Sequence, residues 1–143
     1  MLIGSYNHTL DAKGRIFVPA RWRDDLGASF VVTKGFDKCL LGMSMERWEA
    51  FSQKLAALPL TDRKAQDFVR YISSWAVDCE LDKQGRILLS AKLRKFAELE
   101  GEATLIGVTS RIEIWSSAHW QAHDERLEEG YGDILARMEE LGI

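Results

Sequence analysis

The chain has 143 residues, 46% of them hydrophobic, which suffices for one ordinary domain or for two half-size modules that share a core. No run approaches the roughly 18 apolar residues of a membrane span, and the N-terminus lacks the features of a secretory signal, so we expect a cytoplasmic protein without a membrane partner. Cys39 and Cys79 lack the spacing of zinc ligands, which predicts reduced thiols and no metal site, and the net charge of −3 disfavours a general nucleic-acid binder.

The negative charge is concentrated at the end of the chain. Residues 117–143 contain seven acidic residues and two arginines, a net charge of −5, which leaves the remaining residues with a net charge of +2. A weakly basic body with an acidic helical tail is compatible with polyanion binding at a defined surface, although it does not require such binding.

The first predicted elements are a strand, a tight turn and a second strand. Residues 5–10 alternate between the two faces of a half-buried strand. Asp11 and Gly14 occupy the first and fourth positions of a predicted type I turn, and a short apolar strand over 16–18 follows, which makes a strand, tight loop, strand unit. Pro19 favours a short helix over 20–26, and strands over 29–33 and 39–42 are predicted to form a hairpin.

Two helices are predicted in the middle of the chain. Ser44 is a suitable N-cap for a helix over 45–58, in which apolar residues recur at helical spacing. Pro59 ends this helix, and Thr61 or Asp62 begins the next one, so the segment is predicted to be an antiparallel helical pair.

The second half of the chain repeats the first with an offset of 71 residues. The pentapeptide 82–86 matches 11–15, and Leu10, Ile16, Ala20 and Arg23 meet residues of the same type in the second copy. This register indicates an internal duplication. It predicts strands over 77–81 and 87–89, a helix over 91–99 with Ser90 as its N-cap, and a hairpin of strands over 103–108 and 112–115.

The chain ends in a predicted helix or helical pair over 117–143, which Gly130 and Gly132 are expected to interrupt. Its apolar positions are Trp120, Leu127, Ile134, Leu135, Met138 and Leu141. The favoured interpretation of this stripe, as of those on the middle helices, is core packing, and subunit contacts are the alternative.

The duplicated loop admits two interpretations. In the structural one, each aspartate forms a salt bridge with the arginine of its own turn, which stabilises the fold little. In the functional one, aspartate and glycine hold the loop while cations point outward toward phosphate or guanine. The supporting residues are then Asp11, Gly14, Asp82 and Gly85, and the candidate DNA-binding residues are Lys13, Arg15, Lys83 and Arg86.

Motifs of known enzyme classes are absent. The sequence contains no nucleophile elbow, no zinc-protease motif, no phosphate-binding glycine loop and no cysteine near a histidine, so we predict a non-enzymatic protein without a cofactor or a small-molecule substrate. His8 shares the apolar side of its strand with Leu10, which favours a packed rather than a catalytic histidine. A protein-interaction or assembly module is the alternative to a DNA-binding protein.

These paired loops and their flanks resemble the MraZ family of bacterial transcriptional regulators, whose halves each contain an Asp-x-x-x-Arg signature in a SpoVT-AbrB-like module. The resemblance implies an α+β fold in which two AbrB-like modules interlock as a swapped-hairpin β barrel with peripheral helices. It places module 1 at residues 5–47, a helical linker at 48–75, module 2 at 76–119 and the acidic tail at 120–143.

The resemblance also implies a function. It implies ring-shaped homo-oligomers that bind promoter direct repeats in double-stranded DNA and autoregulate the division and cell-wall gene cluster, which would make the protein nucleoid-associated. The second loop departs from the first, because Gln84 stands where Lys13 stands and Lys83 stands where Ala12 stands, so we expect the first loop to dominate binding.

Overall fold

Eight strands form two sheets in the computed structural model, which describes residues 1–143. Six strands make one antiparallel sheet in the order β1-β7-β8-β4-β3-β5, and β2 and β6 form a separate two-stranded ribbon. The strands are β1 (Leu2–Thr9), β2 (Arg15–Phe17), β3 (Ser29–Lys34), β4 (Leu40–Ser44), β5 (Val77–Glu80), β6 (Arg86–Leu88), β7 (Glu102–Thr109) and β8 (Ile112–Ser116).

Six helices surround the sheets, which confirms a mixed α+β fold. They are α1 (Arg23–Leu26), which follows a 3₁₀ turn at Ala20–Trp22, α2 (Met45–Ala56), α3 (Arg63–Ser73), α4 (Ala91–Phe96), α5 (Ser117–Glu129) and α6 (Tyr131–Glu140). None of them combines the length and the hydropathy that a membrane-spanning helix requires.

The helix starts follow the predicted capping residues. The hydroxyls of Ser44 and Ser90 each accept a hydrogen bond from the backbone N–H three residues later. Asp62, rather than Thr61, caps α3 in the same way. These side chains satisfy backbone donors that the first helical turn leaves unpaired.

One predicted interruption is wrong. Gly130 separates α5 from α6, as expected, but Gly132 lies inside α6. A glycine in a helix costs only about 1 kcal/mol relative to alanine, and the neighbouring residues 133–140 are mostly good helix formers, so the helix continues through Gly132.

The two halves exchange strands. β1 of the first half pairs with β7 of the second, and β5 of the second pairs with β3 of the first. In the ribbon, Ile16 lies opposite Ile87, its own equivalent in the repeat. When each strand is replaced by its equivalent in the other half, the strand order of the sheet is the same read from the opposite edge. The halves are therefore related by a pseudo-twofold axis between β8 and β4.

This exchange corrects the predicted strand, tight loop, strand units. The turn after β1 leads into β2, but β2 pairs with β6 of the other half instead of folding back on β1. The exchange is the interlocking that the family resemblance implies. The closed barrel is not formed, because the six-stranded sheet ends at β1 and β5 and no strand pairing joins the ribbon to either edge strand.

The core lies between the ribbon and the large sheet and draws on both halves. It contains 19 buried residues, including Ile16 and Ile87 from the ribbon. Trp22 and Leu26, and their counterparts Leu93 and Ala97 in the repeat, are all buried.

The C-terminal helices depart from the core-packing interpretation. Neither α5 nor α6 contains a fully buried residue, whereas α2 buries Leu55 and α3 buries Ile72. Tyr131, Leu135 and Leu141 are 57%, 46% and 59% exposed. The apolar stripe of α6 is therefore only partly covered within the chain, where its main neighbour is α5.

Candidate nucleic-acid interface

The loop at residues 11–15 is held by the carboxylate of Asp11. Its Oδ1 atom accepts hydrogen bonds from the backbone N–H groups of Lys13 (3.0 Å) and Arg15 (2.9 Å), and its Oδ2 atom accepts one from Arg15 Nε (2.5 Å). The N–H of Gly14 donates to the Asp11 carbonyl at 3.0 Å and closes the turn. Asp11 thus fixes both the backbone of the loop and the direction of the Arg15 side chain.

The loop at residues 82–86 has the same construction. Asp82 Oδ1 accepts from the N–H groups of Gln84 and Arg86, both at 2.9 Å, and Asp82 Oδ2 accepts from Arg86 Nε at 2.8 Å. Each turn therefore contains the ion pair of the structural interpretation. Only Nε of each arginine is hydrogen-bonded, so both terminal nitrogens of Arg15 and Nη2 of Arg86 remain free to bind a ligand.

The β2–β6 ribbon brings the two loops together. They lie at its opposite ends, where Leu89 N–H donates to the Gly14 carbonyl and Val18 N–H donates to the Gly85 carbonyl, each at 2.9 Å. Arg86 reaches back along the ribbon, so that its Nη1 lies 3.9 Å from Asp11 Oδ2. We call the two loops and the outer side of the ribbon the paired-loop face.

The paired-loop face is rich in cations. The side chains of Lys13 and Lys83 are exposed and form no ion pair, and those of Arg15 and Arg86 are 33% and 20% exposed. All four predicted DNA-binding residues thus belong to one surface, although 68 residues separate Arg15 from Lys83 in the sequence.

Two apolar residues on this face were not identified from the sequence. Phe17 and Leu88 point outward from the ribbon and are 42% and 59% exposed, while Ile16 and Ile87 between them are buried. The Arg86 guanidinium lies 5.8 Å from the centre of the Phe17 ring. The alternation of side chains along a strand could have identified Phe17 and Leu88, because the residues next to a buried strand position face outward.

Two further arginines bind the backbone at the ends of the ribbon and contact the loops. Arg23 Nε donates to the Val18 carbonyl at 3.0 Å, and Arg94 Nε donates to the Leu89 carbonyl at 3.1 Å. Each guanidinium lies against the loop of the opposite half: a Cβ atom on Gly14 would come within 2.6 Å of Arg94 Nε, and one on Gly85 would overlap the Arg23 guanidinium. Arg23 and Arg94 are equivalent residues of the repeat, but their sequence positions alone do not predict this role.

The hydrogen bonds at the loops make stability depend on pH. The N–H of Arg15 is the main interaction that lowers the pKa of Asp11 below its ordinary value of 3.8, and the N–H of Arg86 does the same for Asp82; partial desolvation opposes both shifts. A folded-state pKa below the unfolded value means that this stabilisation is complete above about pH 4 and is lost as the pH falls through the folded-state pKa.

We therefore expect the double substitution Asp11→Asn and Asp82→Asn to lower stability at pH 7 and to flatten its fall in acid. Asparagine keeps the acceptor for the backbone N–H groups but carries no charge to lose. Urea midpoints measured between about pH 7 and pH 2.5 would test this expectation. A variant whose midpoints run parallel to those of the wild type would contradict it.

Other polar and sulfur groups offer less chemistry. No group of three His, Cys, Asp or Glu side chains is arranged to hold a metal ion. Burial raises the pKa of Cys39 to about 12 and that of Cys79 to about 11, so neither is a reactive thiolate. His8 is half-buried, with its ring centre 6.2 Å from that of Phe17.

Comparison with known proteins identifies relatives along the whole chain. The family model described as "MraZ protein, putative antitoxin-like" matches residues 1–71 and again residues 72–140. The two matches begin 71 residues apart, which is the offset of the predicted duplication. The chain is 51% identical to the transcriptional regulator MraZ of Alkaliphilus metalliredigens, 47% identical to that of Halothermothrix orenii and 48% identical to that of Desulfitobacterium hafniense, and each match covers both proteins completely.

Proposed function

Because the chain belongs to the MraZ family, we propose that it is a non-enzymatic transcriptional regulator that binds double-stranded DNA through the paired-loop face. The observation that supports this site is the ribbon, which joins two cationic loops from distant parts of the chain. The names of the relatives, transcriptional regulator MraZ, support the general function.

The chemistry of the paired-loop face suits duplex DNA. An antiparallel two-stranded ribbon fits the major groove, and arginine can bind guanine O6 and N7 with two nitrogens. The free terminal nitrogens of Arg15 and Arg86 suit that role. Lys13 and Lys83 suit phosphate contacts, while Phe17 and Leu88 offer apolar contacts to thymine methyl groups.

We expect the two loops to contribute unequally. Gln84 replaces the cation that Lys13 supplies, and Arg86 lies near two carboxylates, those of Asp82 and Asp11. The two loops contain equal numbers of cations, because Lys83 stands where Ala12 stands, but the second carboxylate beside Arg86 lowers the positive potential that the second loop presents to DNA. The first loop is therefore the main contributor to affinity.

Assembly explains how an acidic protein binds DNA. Few cations face outward from one chain, but a ring that aligns several identical faces along direct repeats raises the effective concentration of each later contact. Such binding near its own promoter would make the protein an autoregulator of the division and cell-wall gene cluster, acting in the cytoplasm at the nucleoid. An assembly role alone is the alternative, and the partly covered stripe of α6 favours it.

Fluorescence anisotropy tests this function. A labelled duplex from upstream of the protein's own gene is titrated with the wild type and with Arg15→Ala and Arg86→Ala variants over a salt series, and a shuffled duplex measures specificity. We expect Arg15→Ala to weaken specific binding about 10- to 100-fold and Arg86→Ala to have a smaller effect. Affinity should fall steeply with salt.

The matched control is Lys54→Ala, which removes an exposed cation from α2, away from the paired-loop face. It should leave the affinity unchanged. Equal affinity of the wild type for the two duplexes would reject sequence-specific binding and leave the assembly role as the better explanation.

A further inference from the structure

A second basic surface lies outside the paired-loop face. Lys34 Nζ lies 4.1 Å from the centre of the Tyr71 ring and 3.8 Å from the centre of the Trp75 ring, and Lys92 Nζ lies 4.1 Å from the centre of the Trp75 ring. Lys38 Nζ is 5.2 Å from the Phe96 ring. We call these six residues the lysine–aromatic patch: Lys34, Lys38, Lys92, Tyr71, Trp75 and Phe96.

The charge of this patch is not neutralised within the chain. No carboxylate lies within 4.0 Å of the ammonium groups of Lys34, Lys38 or Lys92, and the neighbouring Asp37 is exposed without an ion pair. Burial, and then the positive charge of Lys92, lowers the pKa of Lys34. Three ammonium groups close together on aromatic rings create a positive local potential, which favours the binding of an anionic group.

Exposed aromatic surface continues beside the lysines. The rings of Phe36 and Phe68 stack with their centres 6.1 Å apart, and these residues are 52% and 38% exposed. Tyr71, one helical turn after Phe68, is 39% exposed. The patch and its border therefore combine positive charge with apolar area, which a partner of opposite charge and similar apolar character would complement.

The C-terminal helices have those properties. A groove between α5 and α6 is lined by Leu127 and Tyr131 and edged by Asp124 and Glu128, and residues 117–143 have a net charge of −5. In the repeat, α6 occupies the place of α3. However, α3 packs on β3 and its Ile72 carbonyl accepts a hydrogen bond from the Thr33 hydroxyl at 2.6 Å, whereas the main neighbour of α6 is α5.

We propose that the acidic groove between α5 and α6 docks on the lysine–aromatic patch of a second copy of this chain. Asp124 and Glu128 would meet Lys38 and Lys92, the two exposed lysines of the patch, while Tyr131 and the stripe of α6 would cover the exposed aromatic rings. One contact would then cover both surfaces, the acidic groove of one copy and the lysine–aromatic patch of the other.

The contact has a geometric consequence. It joins two different surfaces of identical chains, so it is heterologous and repeats from each subunit to the next, which gives a ring when the rotation between neighbours closes. The inference rests on the proposed function, because it names the interface of the proposed ring. It is independent of which residues read DNA.

Charge reversal tests the interface. Molar mass is measured by light scattering after size exclusion for the wild type, for Lys38→Glu with Lys92→Glu, and for Asp124→Lys with Glu128→Lys. We expect the wild type to have a multiple of 16.3 kDa and each double variant to fall to 16.3 kDa. An equimolar mixture of the two variants should assemble again, because each patch then meets a groove of opposite charge.

The matched control reverses two exposed cations on α2, Arg47→Glu with Lys54→Glu, and should keep the wild-type mass. Circular dichroism shows whether each variant is folded. If Lys38→Glu with Lys92→Glu does not fold, the neutral double variant Lys38→Gln with Lys92→Gln replaces it. Variants that stay assembled, or a mixture that does not reassemble, overturn the interface.

DNA binding by the same proteins separates this inference from the proposed function. A wild-type ring that binds the cognate duplex, together with reversal variants that keep its mass, would overturn the interface and leave the function intact. Patch variants that stay assembled but bind DNA with a shallower salt dependence would assign the lysines to phosphate contacts instead.

Discussion

Trp22→Ala is expected to lower the free energy of unfolding by about 3–5 kcal/mol, the range found when a large buried aromatic side chain is truncated. Trp22 is fully buried between the ribbon and the large sheet. Its Nε1 donates to the Ile3 carbonyl at 2.9 Å, and Tyr6 contacts its ring edge-on with ring centres 5.1 Å apart. The substitution leaves a cavity and an unpaired carbonyl where the first half meets the core.

The repeat offers a matched control for this prediction. Leu93 holds the equivalent buried position in the second half, so Trp22→Leu places a proven core residue there and should cost less than Trp22→Ala. Trp22→Phe retains an aromatic ring but removes the N–H that binds Ile3, worth about 1 kcal/mol, together with part of the ring volume, so its cost should lie below that of Trp22→Ala. Urea unfolding followed by far-UV circular dichroism gives all three values.

A loss below about 1 kcal/mol in Trp22→Ala would contradict this account of the core. It would mean that the neighbouring side chains collapse into the space without much cost. Equal losses in Trp22→Leu and Trp22→Ala would mean instead that leucine does not fill the first site as it fills the second.

The features that the sequence predicted well are local ones. Ser44, Asp62 and Ser90 cap helices, because a hydroxyl or carboxylate needs only the N–H groups of the next turn. The loop at 11–15 is equally local, since Asp11 binds N–H groups two and four residues later. Once the 71-residue offset is recognised, the same reasoning applies to the second half.

The features that the sequence did not reveal are relations between the halves. Whether β2 pairs with β1 or with β6 depends on which arrangement buries Ile16 and Ile87 better, and alternation within one strand does not choose a partner. Local patterns also do not show that Arg23 supports the loop of the other half. The apolar stripe of α6 predicted burial, but periodicity does not say whether the covering surface belongs to the same chain.

Gly85→Ala is expected to lower the free energy of unfolding by about 2–4 kcal/mol. Gly85 has φ of +82°, where a Cβ atom costs roughly 1–2 kcal/mol, and that atom would overlap the Arg23 guanidinium. Moving the guanidinium breaks its hydrogen bond to the Val18 carbonyl, which is worth about 1.5–3 kcal/mol for a charged donor. The second loop then loses its shape, so we also expect weaker DNA binding.

Gly101→Ala is the control that separates the two causes. Gly101 has a similar φ of +73°, but nothing lies within 4 Å of an added Cβ atom, so only the backbone cost of about 1–2 kcal/mol is expected. A double-mutant cycle with Arg23→Ala isolates the steric part, because Gly85→Ala should cost less once the guanidinium is gone. Equal costs in both backgrounds would show that Arg23 is not the obstacle.

Gly14→Ala extends the same cycle to the first loop, where the result should differ. A Cβ atom on Gly14 would lie 2.6 Å from Arg94 Nε and also 3.0 Å from the Leu89 carbonyl oxygen. A side chain can move away, but that oxygen belongs to the backbone between β6 and α4, which cannot move as easily. Arg94→Ala should therefore relieve Gly14→Ala less than Arg23→Ala relieves Gly85→Ala, and equal relief would mean that the two loops are supported alike.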